Sequence, residues 1–246
     1  MIGGASRAVL AQTRLELALT ARRGENVLIT IVVPIVLLVF FASSRLVPGT
    51  GEQSLDYLVP GILALAIIST GMVNLGISTA YERYYGVLKR LGGSPLPRSG
   101  LLLAKALSVV ALEVFQVVLL VGVATLGFGW TPRVNELGAL VAIAAGTIAF
   151  CAIGLAMAGG LRAEATLAIA NGLYLVFLLL GDVLMPTSHL PGLLQPVSAV
   201  LPATALSDTL RAAFSSSADV PWLSLASLVA WAVLASIVAV RSFRWE

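Results

Sequence analysis

Glu113 is the first residue whose type and position invite chemistry. It stands about twelve residues into a long apolar run. An ionised carboxylate at a bilayer centre costs about 2.5–3.5 kcal/mol on insertion scales, so it must be protonated, paired or turned into the protein interior. Gln116, at i+3, shares its helix face. The two read as a gate, a substrate contact or a proton relay, or else as a structural hydrogen bond between helices. No second membrane-embedded carboxylate or histidine accompanies Glu113 to complete a relay. Asn74 and Asn171, in two other apolar runs, are further pathway candidates and could equally be helix-to-helix hydrogen-bonding groups. His189, between Pro186 and Pro191, reads as a loop residue with an intrinsic pKa suited to pH sensing. Cys151 is alone, which excludes an intrachain disulfide. There is no G-x-x-x-x-G-K-[ST] loop, no H-E-x-x-H, no Cys/His cluster and no nucleophile elbow. The chain therefore offers no catalytic residue, metal site or cofactor site. Energy for any transport must come from a partner or an ion gradient.

Composition sets the surroundings of these residues. Of 246 residues, 59% are hydrophobic and 11% charged, and the mean hydropathy is +0.99. Ordinary soluble domains have about 45–50% and about 25% respectively. Too few polar side chains remain to cover a soluble surface, which excludes a soluble enzyme, a disordered chain and a nucleic-acid binder. A bilayer-crossing helix needs about 20 mostly apolar residues. Six runs qualify, at 27–46, 57–80, 101–126, 137–160, 165–185 and 222–240. They are continuously apolar rather than alternating, which argues against a β-barrel. The expectation is an all-α polytopic membrane protein forming a single transmembrane domain over 1–246.

Charge sets its orientation. Arg7, Arg14, Arg22 and Arg23 precede the first run; Arg83, Lys89, Arg90, Arg98 and Lys105 lie around the loop after the second. Arg162 lies between the fourth and fifth runs, and Arg241 and Arg244 follow the sixth. These are twelve of the 15 Lys and Arg residues, and only Arg45, Arg133 and Arg211 fall on the other side. The positive-inside rule puts both termini in the cytoplasm. The N-terminal stretch is too long and too charged for a signal peptide, so the first run is expected to stay as a span. Arg outnumbers Lys 13 to 2 amid abundant Ala, Gly, Val and Leu, a composition that suggests a bacterial source.

Tyr81–Leu91 is amphipathic. Tyr81, Tyr84, Tyr85, Leu88 and Leu91 share one helical face, while Glu82, Gly86, Lys89 and Arg90 lie on another. Gly92-Gly93 stops the helix, and Pro95 and Pro97 prevent its resumption. Such a helix lies along the membrane, either as a plain connector or as a docking element for a cytoplasmic partner.

Three stretches, in order, resemble the type-2 ABC transporter permease family, of the drug-efflux kind. Glu82-Arg83-x-x-Gly86-x-Leu88-x-Arg90-Leu91-x-x-x-Pro95, followed by Lys105, is similar to its E-R-E-x-G-T-L-E-R-L-x-x-x-P run. Tyr57-Leu-Val-Pro-Gly-Ile62 is similar to the family's x-x-x-P-G-I/L opening of span two. Met185-Pro-Thr-Ser-His-Leu-Pro191, Leu201-Pro202 and Asp208-Thr-Leu-Arg211 resemble its P-x-x-x-L-P … L-P … D-x-L-R pattern. Tyr84, Val87 and Lys89 depart from the family's Glu, Thr and Glu and make the segment more basic.

The resemblance implies a membrane subunit that exports substrate, driven by a separate P-loop ATP-binding subunit carrying the ATP and Mg. It implies that Glu82, Arg83, Gly86, Leu88, Lys89, Arg90 and Leu91 form the coupling helix (81–91) that seats in that subunit. Residues 6–26 are then an interfacial helix, and a second permease subunit, identical or related, completes the pathway. Between spans five and six, Pro186, Pro191, Pro196 and Pro202 interrupt an apolar stretch. Irregular backbone cannot face lipid, so 186–215 is expected to form re-entrant half-helices buried against other spans, as the resemblance also implies. Asp208 and Arg211 would form a local i,i+3 ion pair there, and Asp182 would be solvated near the outer surface. Mainly apolar spans point to a drug-like or lipid-like cargo. Two other readings stay open: an ion-coupled secondary transporter using Glu113, and a non-transporting membrane assembly factor.

Overall fold

The computed structural model describes residues 2–22, 24–44, 52–91, 98–215 and 221–242. The expected stop at Gly92-Gly93 with Pro95 and Pro97, most of the serine-rich link before the last span, and the side chain of Leu91 lie outside what it describes. The described residues contain helices and turns and no strand. In chain order the helices are α1 (Ile2–Arg22), α2 (Gly24–Ser44), α3 (Glu52–Ile68), a π-helical segment (Ser69–Asn74), α4 (Leu75–Tyr84) and α5 (Val87–Leu91). They continue with α6 (Arg98–Phe128), α7 (Glu136–Gly160), α8 (Ala163–Leu180), α9 (Gln195–Val200), α10 (Pro202–Phe214) and α11 (Trp222–Ser242).

Among the described residues, five helical stretches are long and apolar enough to cross a membrane: Leu55–Tyr84, Gly100–Phe128, Glu136–Gly160, Ala163–Leu180 and Trp222–Ser242. The apolar Thr30–Ser44 belongs to α2, whose 21 residues include Pro34. The stretch made by α3, the π segment and α4 is the centre of the bundle. It is 83% buried along its most apolar part, against 28% for α6 and 22% each for α8 and α11. The outer helices instead expose Val114, Phe115 and Val118 on α6, Leu175 and Leu179 on α8, and Leu234 and Ile237 on α11. Faces this apolar have no place in water, and the fold is that of a multi-pass helical membrane protein.

Local chemistry explains the helix ends and close contacts. Asn135 caps α7, its Oδ1 accepting the Gly138 N–H at 3.1 Å. Pro202 starts α10, where its missing N–H costs nothing. Inside α3, Gly61 has no side chain where the stretch after α8 packs against it. A Cβ at Gly61 would lie 2.1 Å from the Val183 carbonyl oxygen. The π segment carries one wide turn in mid-bundle, with the Leu75 N–H bonded to the Thr70 carbonyl five residues back.

Three expectations need correction. The 81–91 stretch is not one helix: α4 ends at Tyr84, Gly86 takes φ +69°, and α5 begins at Val87. A left-handed residue ends one helix and redirects the next. The fifth run is helical only to Leu180, because Gly181 ends α8 and Asp182 adopts φ 55°. The 186–215 segment is not uniformly buried. A 3₁₀ turn at Thr187–His189 and α9 lie at the surface, with Leu193 91% exposed, while α10 is buried against α3, α7 and α11.

Candidate functional site

Among the described residues, three polar clusters interrupt the apolar bundle, one at each end and one in the middle. The first gathers the end where α1, α4, α6 and the α7–α8 turn meet. Lys105, on α6 and 2% exposed, lies 2.7 Å from Glu82 Oε2 on α4 and 3.2 Å from Glu16 Oε1 on α1. Gln12 Nε2 donates to the same Glu16 Oε1 at 2.9 Å. A buried cation needs such partners, because its desolvation offsets much of the attraction to any single one. Arg83, next along α4, donates through both Nη atoms to the Gly159 and Leu161 carbonyls, which end α7. Glu82 and Arg83 therefore face inward, and Glu82 does not share an exposed face with Lys89 and Arg90 as the helical spacing predicts. The inward pair ties α4 to its neighbours instead.

Beyond this anchor the chain turns at Gly86 into α5. Leu88 is buried, while Tyr84, Tyr85, Val87, Lys89 and Arg90 are exposed. The coupling candidates thus divide into an inner pair, Glu82 and Arg83, and an outer surface on α5. Sequence spacing could not find Glu16 as a partner of Lys105, since 89 residues separate them.

The second cluster crosses the middle. Thr147 Oγ1 on α7 donates to Glu113 Oε2 at 2.5 Å, and Glu113 Oε1 has no hydrogen-bond partner among the described residues. One turn on, Gln116 Oε1 accepts from Thr70 Oγ1 of the π segment at 2.9 Å, and its Nε2 donates to the Thr30 carbonyl of α2 at 3.0 Å. Glu113 and Gln116 thus link α6 to α2, α7 and the π segment. Asn74 shares a small cavity with Gln116, Thr20 and Thr30. Asn171 joins none of this: it is exposed on α8 and donates to its own helix at the Leu167 carbonyl, at 2.8 Å.

The third cluster lies at the opposite end, centred on Arg211 of α10. Its Nη atoms donate to the Asp182 carboxylate and carbonyl, and its Nε to the Tyr57 carbonyl at 3.3 Å. Its guanidinium stacks 3.7 Å from the Tyr57 ring centroid. Asp182 also accepts from the Tyr57 hydroxyl at 3.0 Å and from the Thr187 N–H at 2.8 Å. Asp208 stands 3.6 Å from Arg211 and accepts from Ser224 of α11 at 3.1 Å. Burial, and then the nearby Asp182, push the Asp208 carboxyl up to about 6.

Two sequence expectations change here. Asp182 is buried rather than solvated, and it, not Asp208, is the principal partner of Arg211. Of the outer candidates, Pro202 is buried at the start of α10, Pro186 precedes the Thr187–His189 turn, and Pro191 and His189 are exposed. Tyr57, Asp182 and Thr147 are polar partners that spacing alone did not reveal.

Membrane-length apolar helices with polar groups paired inside the bundle define a polytopic helical membrane protein. The family model for the ABC-2 type transporter matches residues 7–215. The chain belongs to that family, as the membrane permease component of an ABC transporter. No curated protein matches the chain.

Proposed function

We propose that the chain is the membrane half of an ATP-driven exporter in a bacterial cell membrane. It moves a hydrophobic or amphiphilic substrate outward, paired with a second permease subunit and driven by a separate P-loop ATP-binding subunit. Both termini and α5 face the cytoplasm, on the side richer in Arg and Lys. The observation that carries the reading is the anchored corner at Gly86. Exposed α5 stands just beyond a helix end that Arg83 and Lys105 join to α1, α6 and α7. A force delivered to α5 by a closing ATPase would move these elements together rather than bend one loop. The mid-bundle links of Glu113 and Gln116 are where that motion reaches the path.

Co-purification tests this reading. Tagged protein in mild detergent should recover a P-loop ATPase from its neighbouring gene products. The variant Arg90→Ala should weaken recovery, and Arg133→Ala, at the opposite end, should not. A folded protein that transports while capturing no ATPase refutes the proposal. Glu113, buried with one oxygen unpartnered among the described residues, would then support the ion-coupled reading.

A further inference from the structure

A cleft of about 440 Å³ opens between the end of α4 and the start of α8, lined by Arg83, Tyr84, Leu161, Arg162 and Glu164 among others. Its volume falls within the roughly 300–1,000 Å³ of small-ligand sites. Arg83 forms a fixed wall, held by two carbonyls. Arg162 and Glu164 are exposed, and neither makes an ion pair with any described residue, including each other. The cleft thus presents unspent charge of both signs. A purely anionic ligand would leave Glu164 facing like charge, and a purely cationic one would leave the arginines unmatched.

We infer that this cleft binds the headgroup of a phospholipid that carries a primary ammonium beside its phosphodiester. The phosphodiester faces Arg162 and Arg83, and the ammonium, with three N–H donors, faces Glu164. A lipid rather than a soluble phosphodiester fits because α8 carries the exposed Leu167, Leu175 and Leu179 at i+3, i+11 and i+15 from Glu164, on the same helical face, as an apolar track for acyl chains. Tyr84, 64% exposed at the rim, is an amphipathic ring of the kind enriched at membrane interfaces. Basic clefts between spans on the cytoplasmic side are suited to headgroups. Assignment to the inner leaflet rests on the orientation proposed above; the binding itself does not depend on it.

Native mass spectrometry of the isolated chain, mixed with phosphatidylethanolamine, phosphatidylglycerol or phosphatidylcholine, tests the inference without any ATPase present. Phosphatidylethanolamine should be retained roughly tenfold over the other two, as one added charged hydrogen bond gives. Arg162→Gln should abolish retention, Glu164→Gln should keep retention but erase the preference for phosphatidylethanolamine, and Arg133→Gln should behave as wild type. Equal retention of all three lipids overturns the inference, as does unchanged retention by Arg162→Gln. Glycerophosphoethanolamine binding as tightly as the lipid overturns the lipid assignment. If Arg162→Gln loses ATPase capture but keeps its lipid, the cleft belongs to the protein partner and the inference fails. Failure of the permease reading would leave every lipid result intact.

Discussion

Replacing Lys105 by Met removes the cation shared by Glu16 and Glu82 while keeping a side chain of similar length. The side chains concerned are 2%, 11% and 10% exposed. Removing one partner from a buried pair costs about 3–5 kcal/mol, because the other charge stays buried. Here two carboxylates remain, so the cost belongs near the top of that range, about 4–5 kcal/mol. For a chain of this size each kcal/mol lowers the melting temperature by about 2–4 °C. Lys105→Met should therefore melt about 8–20 °C below wild type in detergent, followed by intrinsic fluorescence or light scattering. The shorter contact, 2.7 Å to Glu82, makes Glu82→Gln the more costly of the two single carboxylate changes. Adding Glu16→Gln and Glu82→Gln to Lys105→Met removes the stranded charges and should restore most of the loss. A Lys105→Met protein melting within about 3 °C of wild type would show that Lys105 does not hold two buried charges in place. So would a triple variant no more stable than Lys105→Met alone.

Three further outcomes follow from the other contacts. Asp182→Asn strips Arg211 of its main partner and should cost about 3 kcal/mol or more, against less than about 1 kcal/mol for Asp208→Asn, whose contact is longer and more exposed; thermal melts of the two variants compare them. Asp208, held at about 6 rather than its ordinary 3.8, binds its proton more tightly folded than unfolded, so its contribution weakens stability as pH rises from about 4 to 6. Asp208→Asn should remove that slope from a series of melts, and a slope that persists assigns it to another group. Gly61→Ala pushes a methyl group into the Val183 carbonyl and should cost about 1–3 kcal/mol, read as a lower melting temperature.

The apolar helices were legible because composition and length alone mark them, as the long continuous runs of α6 and α7 illustrate. The corner at Gly86 was half legible. The glycine belongs to the motif, but its left-handed backbone, which splits 81–91 into α4 and α5, leaves no mark in the apolar spacing. The π segment left no periodic signal, since one extra residue in a wide turn disturbs an apolar pattern no more than ordinary variation does. Polar partners were the least legible. The pair Asp208–Arg211 was visible because i,i+3 spacing is local, whereas Asp182–Arg211 spans 29 residues and Lys105–Glu16 spans 89. Only packing decides which distant carboxylate reaches a buried cation. Glu113 was legible as an anomaly of polarity, and Thr147, its partner, was not, because a threonine in an apolar helix draws no attention by itself.

On the proposed function, transport through this chain is powered by a separate ATPase. Proteoliposomes holding the chain with its co-purified ATPase test it most directly, by following movement of a fluorescent amphiphile. Movement is expected on adding ATP and Mg, with none from an ATPase variant that cannot hydrolyse ATP and none from a proton or sodium gradient alone. Gradient-driven movement in vesicles lacking the ATPase, abolished by Glu113→Gln, would contradict the proposed function.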